Sequence, residues 1–183
     1  MCRIPEPRPA AGGPRAAEPG AALRCEAAHR GVALVRAYAG EDAPAVSSVL
    51  GGLGPAARTE LRAVICEMLG VVIGTVMSAP RAFAPADVVR TAERITGAAP
   101  ARHRPALSRA VRAWASGDQG PLRTLMGDGP GGSGGSDGSG GLHAGAVFAT
   151  ALALTSWGEA PLRDLLDAFD ALPGGAPAMA AGP

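Results

Sequence analysis

The sequence predicts an all-α fold, a helical bundle built from two internally repeated three- to four-helix units. Three observations lead there. The segment Val35-Arg36-Ala37-Tyr38-Ala39 returns 76 residues later as Val111-Arg112-Ala113-Trp114-Ala115. The same offset aligns Asp42 with Asp118, Val46 with Leu122, Val49 with Leu125, Leu50 with Met126 and Gly51 with Gly127. Apolar residues make up 47% of the chain but aromatics only 3%, so the core must be Ala, Leu and Val, of which Ala and Leu are strong helix formers. Gly and Pro stand where helices would end and begin, and the apolar residues between them recur at helical spacing.

Taken in order, residues 1–20 are rich in Pro, Ala, Gly and charge and offer little to bury, which predicts a disordered tail. Repeat 1 occupies residues 21–97. Its first helix runs from about Ala21 to Ala39, with Leu23, Ala27, Val32, Leu34, Val35 and Tyr38 on its apolar face and Gly40 as its stop. Asp42 is placed to cap a short helix from Ala43 to Leu50, with Pro44 in the first turn. Pro55 opens a long helix to about Met77, and another follows from about Pro85 to Thr96, ended by Gly97.

Repeat 2, residues 101–172, has the same succession of parts. Pro105 opens a helix to about Ser116, Asp118 caps a short one ending at Met126, and Leu142 to Trp157 forms the third. Pro161 opens the last, in which Leu165, Leu166, Phe169 and Leu172 match Val88, Val89, Ala92 and Ile95 at an offset of 77. A flexible Gly/Ser-rich loop at 127–141 stands where repeat 1 has a short turn, and residues 173–183 form a second disordered tail. The loop lacks the Gly-Lys-Ser/Thr ending and preceding strand of a phosphate-binding loop. A tetratricopeptide-like solenoid is excluded by the period, which is about twice too long.

The third helices are the expected centre of the fold. Ala63 to Ala79 contains one charge, Glu67, and Ala144 to Trp157 contains none, the mark of a helix buried on most sides. A membrane span needs about 20 predominantly apolar residues. The first stretch is shorter and holds Glu67, so no membrane partner is expected. Gly70 and Gly74, four apart, would let a second helix approach closely, either the other repeat or another chain.

All 17 basic residues are Arg, and Lys and Asn are absent, a pattern that a GC-rich genome explains. The net charge of +1 argues for neither nucleic acid nor an acidic partner. The distribution is uneven: 81–123 is basic and 124–183 acidic, so the two could attract within one molecule or between two. Cys2, Cys25 and Cys66 have no paired spacing, and no apolar leader precedes the first helix, so the cytoplasm is the expected compartment.

Few residues suggest chemistry. Cys25 and His29 share a helix face at i, i+4, which is half a zinc site, but no second pair completes it. Glu67 interrupts an apolar helix and is a candidate buried polar site, with Glu60 on the same stripe; the plainer role is a structural pair with an Arg. Tyr38, Trp114 and Trp157 read as core anchors. Arg90, Arg94, Arg102, Arg104, Arg109 and Arg112 form an Arg-rich segment that raises nucleic-acid binding, with a helix-turn-helix reading across Val88–Val111. Pro100 and Pro105 make the turn longer than that motif uses. With no catalytic constellation, no cofactor and no metal expected, the sequence points to a non-catalytic helical protein that binds a protein partner or itself. A helix-turn-helix-like DNA-binding regulator is the alternative.

Overall fold

In a computed structural model of the protein, the described residues are 19–78, 84–127 and 139–171. Among them the chain forms eight α-helices and no strand. These are α1 (Pro19–Ala39), α2 (Ala43–Leu50), α3 (Pro55–Ser78), α4 (Pro85–Thr96), α5 (Arg104–Ala115), α6 (Gly120–Met126), α7 (Ser139–Trp157) and α8 (Glu159–Asp170). Residues 1–18 of the expected N-terminal tail, 128–138 of the glycine tract and the expected tail at 173–183 lie outside the described residues.

Local chemistry accounts for most boundaries. Asp42 caps α2 by accepting from the Ala45 N–H at 2.9 Å, with Pro44 pre-set in the first turn. Asp118, its counterpart, does less than expected. It accepts from Gly120 N at 2.9 Å, two residues on, and α6 has no side-chain cap. Gly127 closes α6 in the left-handed region at φ 83°, which glycine adopts without penalty. The expected loop 127–141 is too long at its far end: Ser139, Gly140 and Gly141 form the first turn of α7.

α7 is the axis of the molecule. It is buried without a break from Gly140 to Ala153. It packs against α1, α3, α4, α5, α6 and α8, with α3 as its most extensive neighbour. Such enclosure demands small residues where neighbours come closest. A Cβ on Gly141 would lie 2.9 Å from the Leu125 carbonyl oxygen, and one on Gly145 would lie 2.5 Å from Ile65 Cγ2. Close helix approach therefore falls to Gly141 and Gly145. Gly70 and Gly74 of α3 face open space, so of the two expected partners, the other repeat or another chain, the other repeat does not meet them.

The two halves pack differently, against the expectation of matching central rods. Of α3's five buried residues, Leu61, Val64, Ile65 and Leu69 lie in its N-terminal part and only Val76 beyond. α4 packs on α7, whereas α8 packs on α1 and α7 and not on α3. α1 lies on both α3 and α7, whereas α5 touches α7 and not α3. A small second core joins α1, α7 and α8 through Val32, Val35, Ala153, Leu162 and Leu166.

The two repeat-aligned aromatics both lean on α7. Tyr38 is fully buried and its hydroxyl lies 2.5 Å from His143 Nδ1. Trp114 is only half-buried and meets Phe148 edge-on, ring centroids 4.7 Å apart. Burial pushes the Tyr38 phenol well above its ordinary range, because the phenolate would lose its water.

Four measurements test this packing. In thermal denaturation Gly145→Ala should destabilise by about 1–3 kcal/mol, because the added methyl overpacks against Ile65. Gly74→Ala should stabilise the monomer by about 0.5–1 kcal/mol, because it removes backbone freedom from the unfolded chain at no steric cost. Asp42→Ala should cost about 1 kcal/mol and Asp118→Ala clearly less. Finally, above about pH 10 Tyr38 keeps its proton only while folded. Its contribution is complete below about pH 10, where the unfolded phenol titrates, and is lost as pH rises through the raised folded value. Denaturant midpoints should fall above about pH 10, and Tyr38→Phe should flatten that fall. The chain has one Tyr, so tyrosinate absorbance reports this residue alone; ionisation at an ordinary pH with the fold intact would refute its burial.

Candidate functional site

The most conspicuous surface feature is the C-terminal half of α3. Val71 is 67% exposed, Ile73 41% and Met77 75%, and Gly70 and Gly74 lie on the same outer arc with nothing near their Cα hydrogens. From Met68 to Ser78 the helix carries no charge. Thr75 and Ser78 turn their hydroxyls back to the Val71 and Gly74 carbonyls at 2.8 Å, so neither offers its proton outward. α3 is long and apolar enough to cross a membrane by length and composition, its most apolar window having a mean hydropathy of 1.7 with 28% of that window buried. One flank of this face descends into an apolar groove of about 310 Å³, floored by Phe148 and Leu152 and edged by Ile73, Met77, Trp114 and Leu122.

A second, polar concavity lies where α2, the α4–α5 connection and the start of α7 meet. It has a volume of about 240 Å³, and Arg58, Arg102, Ser139 and His143 contribute its polar side chains together with Ser47. His143 is 2% exposed. Its ring lies against His103, tilted by 37° with centroids 4.7 Å apart, and Tyr38 meets it edge-on from the core. His103 Nε2 lies 3.0 Å from Arg102 Nε, which donates to it, and 3.1 Å from Ser139 Oγ. Arg58 Nη2 donates to the Leu53 carbonyl at 3.1 Å.

The Arg-rich segment is spread over α4, the connection Gly97–His103 and α5. Arg90 pairs with Asp87, Arg94 with Glu41, and Arg112 with Glu93. Arg104 donates to the Ala99 carbonyl at 2.7 Å. Arg102 belongs to the polar pocket, and Arg109 is exposed beside Pro105 and Arg112 on an open face of α5. Among the described ion pairs, the acidic α8 reaches α1 instead: Asp167 and Asp170 both meet Arg36, at 2.9 and 2.8 Å.

Glu67 is not buried. Its side chain is 61% exposed, and both carboxylate oxygens accept from Arg24 Nη2 of α1 at 2.6 Å. Glu60, on the same stripe, lies 3.6 Å from Arg24 Nη1. The two carboxylates hold Arg24 charged and raise its pKa, with the Glu67 hydrogen bond as the main cause. The candidate buried site is thus exposed, and Glu67 takes the plainer of the two expected roles, a pair with an Arg, here a surface clasp between α1 and α3. Cys25 is exposed, while His29 is half-buried edge-on against Phe169 with centroids 5.5 Å apart. No group of three metal-ligating side chains occurs among the described residues.

Sequence spacing finds α3's uncharged stretch but not its exposure. It misses the Tyr38–His143–His103–Ser139 cluster entirely, because Tyr38 and His143 are 105 residues apart and no local pattern links them. No protein-family model matches the chain, and neither a curated protein nor a solved structure matches it.

Proposed function

We propose that the protein is a non-catalytic helical interaction module of the cytoplasm that associates with a second copy of itself through the outer face of α3. The observation that carries this reading is the exposure of Val71, Ile73 and Met77 around open Gly70 and Gly74 on a charge-free stretch. An apolar patch of this kind marks an interaction site. A face without charge selects a partner face without charge. The same stretch in a second copy supplies one, in the isologous arrangement that most homodimers use. Glycines on both sides would let the helix axes draw together, which explains residues that otherwise weaken α3 by about 1 kcal/mol each.

We read the fold as two copies of a four-helix unit whose packing has diverged. The order of the helices supports it, as do the similar lengths of α2 and α6 and of α4 and α8. So does the placement of Tyr38 and Trp114 against one helix. Nucleic-acid binding is the weaker reading, since Arg90, Arg94 and Arg112 already face carboxylates.

Sedimentation velocity over a concentration series tests the proposal. The wild type should dimerise. Val71→Glu should weaken dimerisation at least tenfold, about 1.4 kcal/mol, while leaving the melting temperature of the dilute protein nearly unchanged, because the residue is exposed. A wild type that stays monomeric at its highest soluble concentration, or a variant that dimerises equally well, overturns it. Partition of the wild type into neutral phospholipid vesicles would assign the face to a membrane instead.

A further inference from the structure

The apolar groove beside α3 is lined in the manner of a ligand site. α3 forms one wall and α5 and α6 the other; all three rest on α7, while the backbones of the two walls stay apart and leave a trough between them. Phe148 and Leu152 of α7 form the floor, Ile73 and Met77 one edge, and Trp114 and Leu122 the other. Apart from the Trp114 indole, the polar lining residues are Gln119 and Arg123, both on the α6 side, and no carboxylate is among the described lining residues. Arg123 donates through Nη2 to Gln119 Oε1 at 3.0 Å and forms no ion pair among the described residues. A guanidinium carries five N–H donors, of which this bond uses one while steadying the group beside the groove.

We propose that this groove binds a small monocarboxylate with an apolar tail, in chemical class a medium-chain alkanoate. Apolar and aromatic walls with a few polar groups gathered on one side are the usual make-up of a small-molecule site, and about 310 Å³ stands at the small end of such sites. An aliphatic tail laid against Phe148, Leu152 and Ile73 takes apolar surface of both partners out of water. Leu69 and Met77, both in the lining, stand about 12 Å apart along α3, the length of an extended chain of about eight carbons with its carboxylate. One guanidinium matches one negative charge and forks onto its two oxygens. The Gln119 amide nitrogen adds a donor. A phosphate monoester would find no second cation among the described lining residues, and a neutral alcohol would leave Arg123 unused. The inference goes beyond the pairing of α3: Ile73 and Met77 border both features, but Val71, Gly70 and Gly74 lie outside the groove lining.

Trp114 makes indole fluorescence the direct readout. The chain has two Trp, and Trp157 packs on the small core of α1, α7 and α8, so Trp157→Phe leaves Trp114 as the sole reporter. The same change is expected in the wild type, so the assay does not hang on that variant. Octanoate is titrated into the full-length protein at neutral pH, below its micelle concentration, with butanoate, hexanoate and octanol as parallel arms. The protein is kept too dilute for α3 pairing, so a failure of binding and a failure of pairing are read separately. Trp114 emission should shift saturably with octanoate. Each methylene added between butanoate and octanoate should tighten binding about fourfold. Arg123→Gln should weaken octanoate binding at least fivefold and leave octanol binding unchanged. Arg123 is exposed, so the variant should keep the wild-type melting temperature, and the octanol arm tests the need for charge without any substitution. The proposal is overturned if no saturable shift occurs, if affinity is indifferent to chain length, if octanol binds as tightly as octanoate, or if a folded Arg123→Gln protein binds octanoate as the wild type does.

Discussion

The enclosure of α7 is the constraint on which everything else rests. A helix buried from Gly140 to Ala153 can present no charge and few large side chains, because each neighbouring helix must come within packing distance of it. The sequence meets this with Gly, Ala, Val, Leu and a single Phe, and with Gly141 and Gly145 where Leu125 and Ile65 press closest. His143 and Thr150 are its buried polar exceptions. His143 is compensated by the Tyr38 hydroxyl, a bond that ties the two halves of the chain together across the core.

The same helix positions both surface features. Its first two turns carry Ser139 and His143 to the polar pocket, and its middle carries Phe148 and Leu152 to the floor of the apolar groove. α3 bridges the two: Arg58 stands at the pocket, Leu61, Val64, Ile65 and Leu69 pack inward, and Gly70, Val71, Ile73, Gly74 and Met77 face solvent. Surface charge, by contrast, is matched locally. Arg24 clasps Glu60 and Glu67 and Arg36 clasps Asp167 and Asp170, each joining separate helices, while Arg94 of α4 meets Glu41 in the α1–α2 turn. Exposed pairs of this kind contribute little stability and serve mainly to orient one helix on its neighbour.

Much of the fold was legible because helix boundaries are local chemistry. Pro44, Gly51, Pro55, Pro85, Gly97 and Pro105 announce themselves through φ restriction or turn geometry, while an uncharged run announces burial in α7 but not in the outer half of α3. Legibility failed where one residue type serves two purposes. Gly140 and Gly141 end a glycine tract and also begin the central helix, and only the closeness of Leu125 separates these roles. Gly70 and Gly74 have the spacing of a close helix contact yet face open space, while Gly141 and Gly145, with the same spacing, make one. Glu67 sits in an apolar run, but Arg24 on a neighbouring helix draws it to the surface.

By itself the sequence determined that this chain is all-helical, roughly where most of its helices begin and end, and that its two most apolar segments meet. Those properties follow from φ preferences, capping and side-chain periodicity, which act within a few residues. Only the tertiary structure decided which apolar segment is enclosed and which lies half open, and which arginines have partners. It alone brought Tyr38, His103, Ser139 and His143 to one place. Those outcomes depend on contacts between residues tens of positions apart, and such contacts leave no periodic trace along the chain.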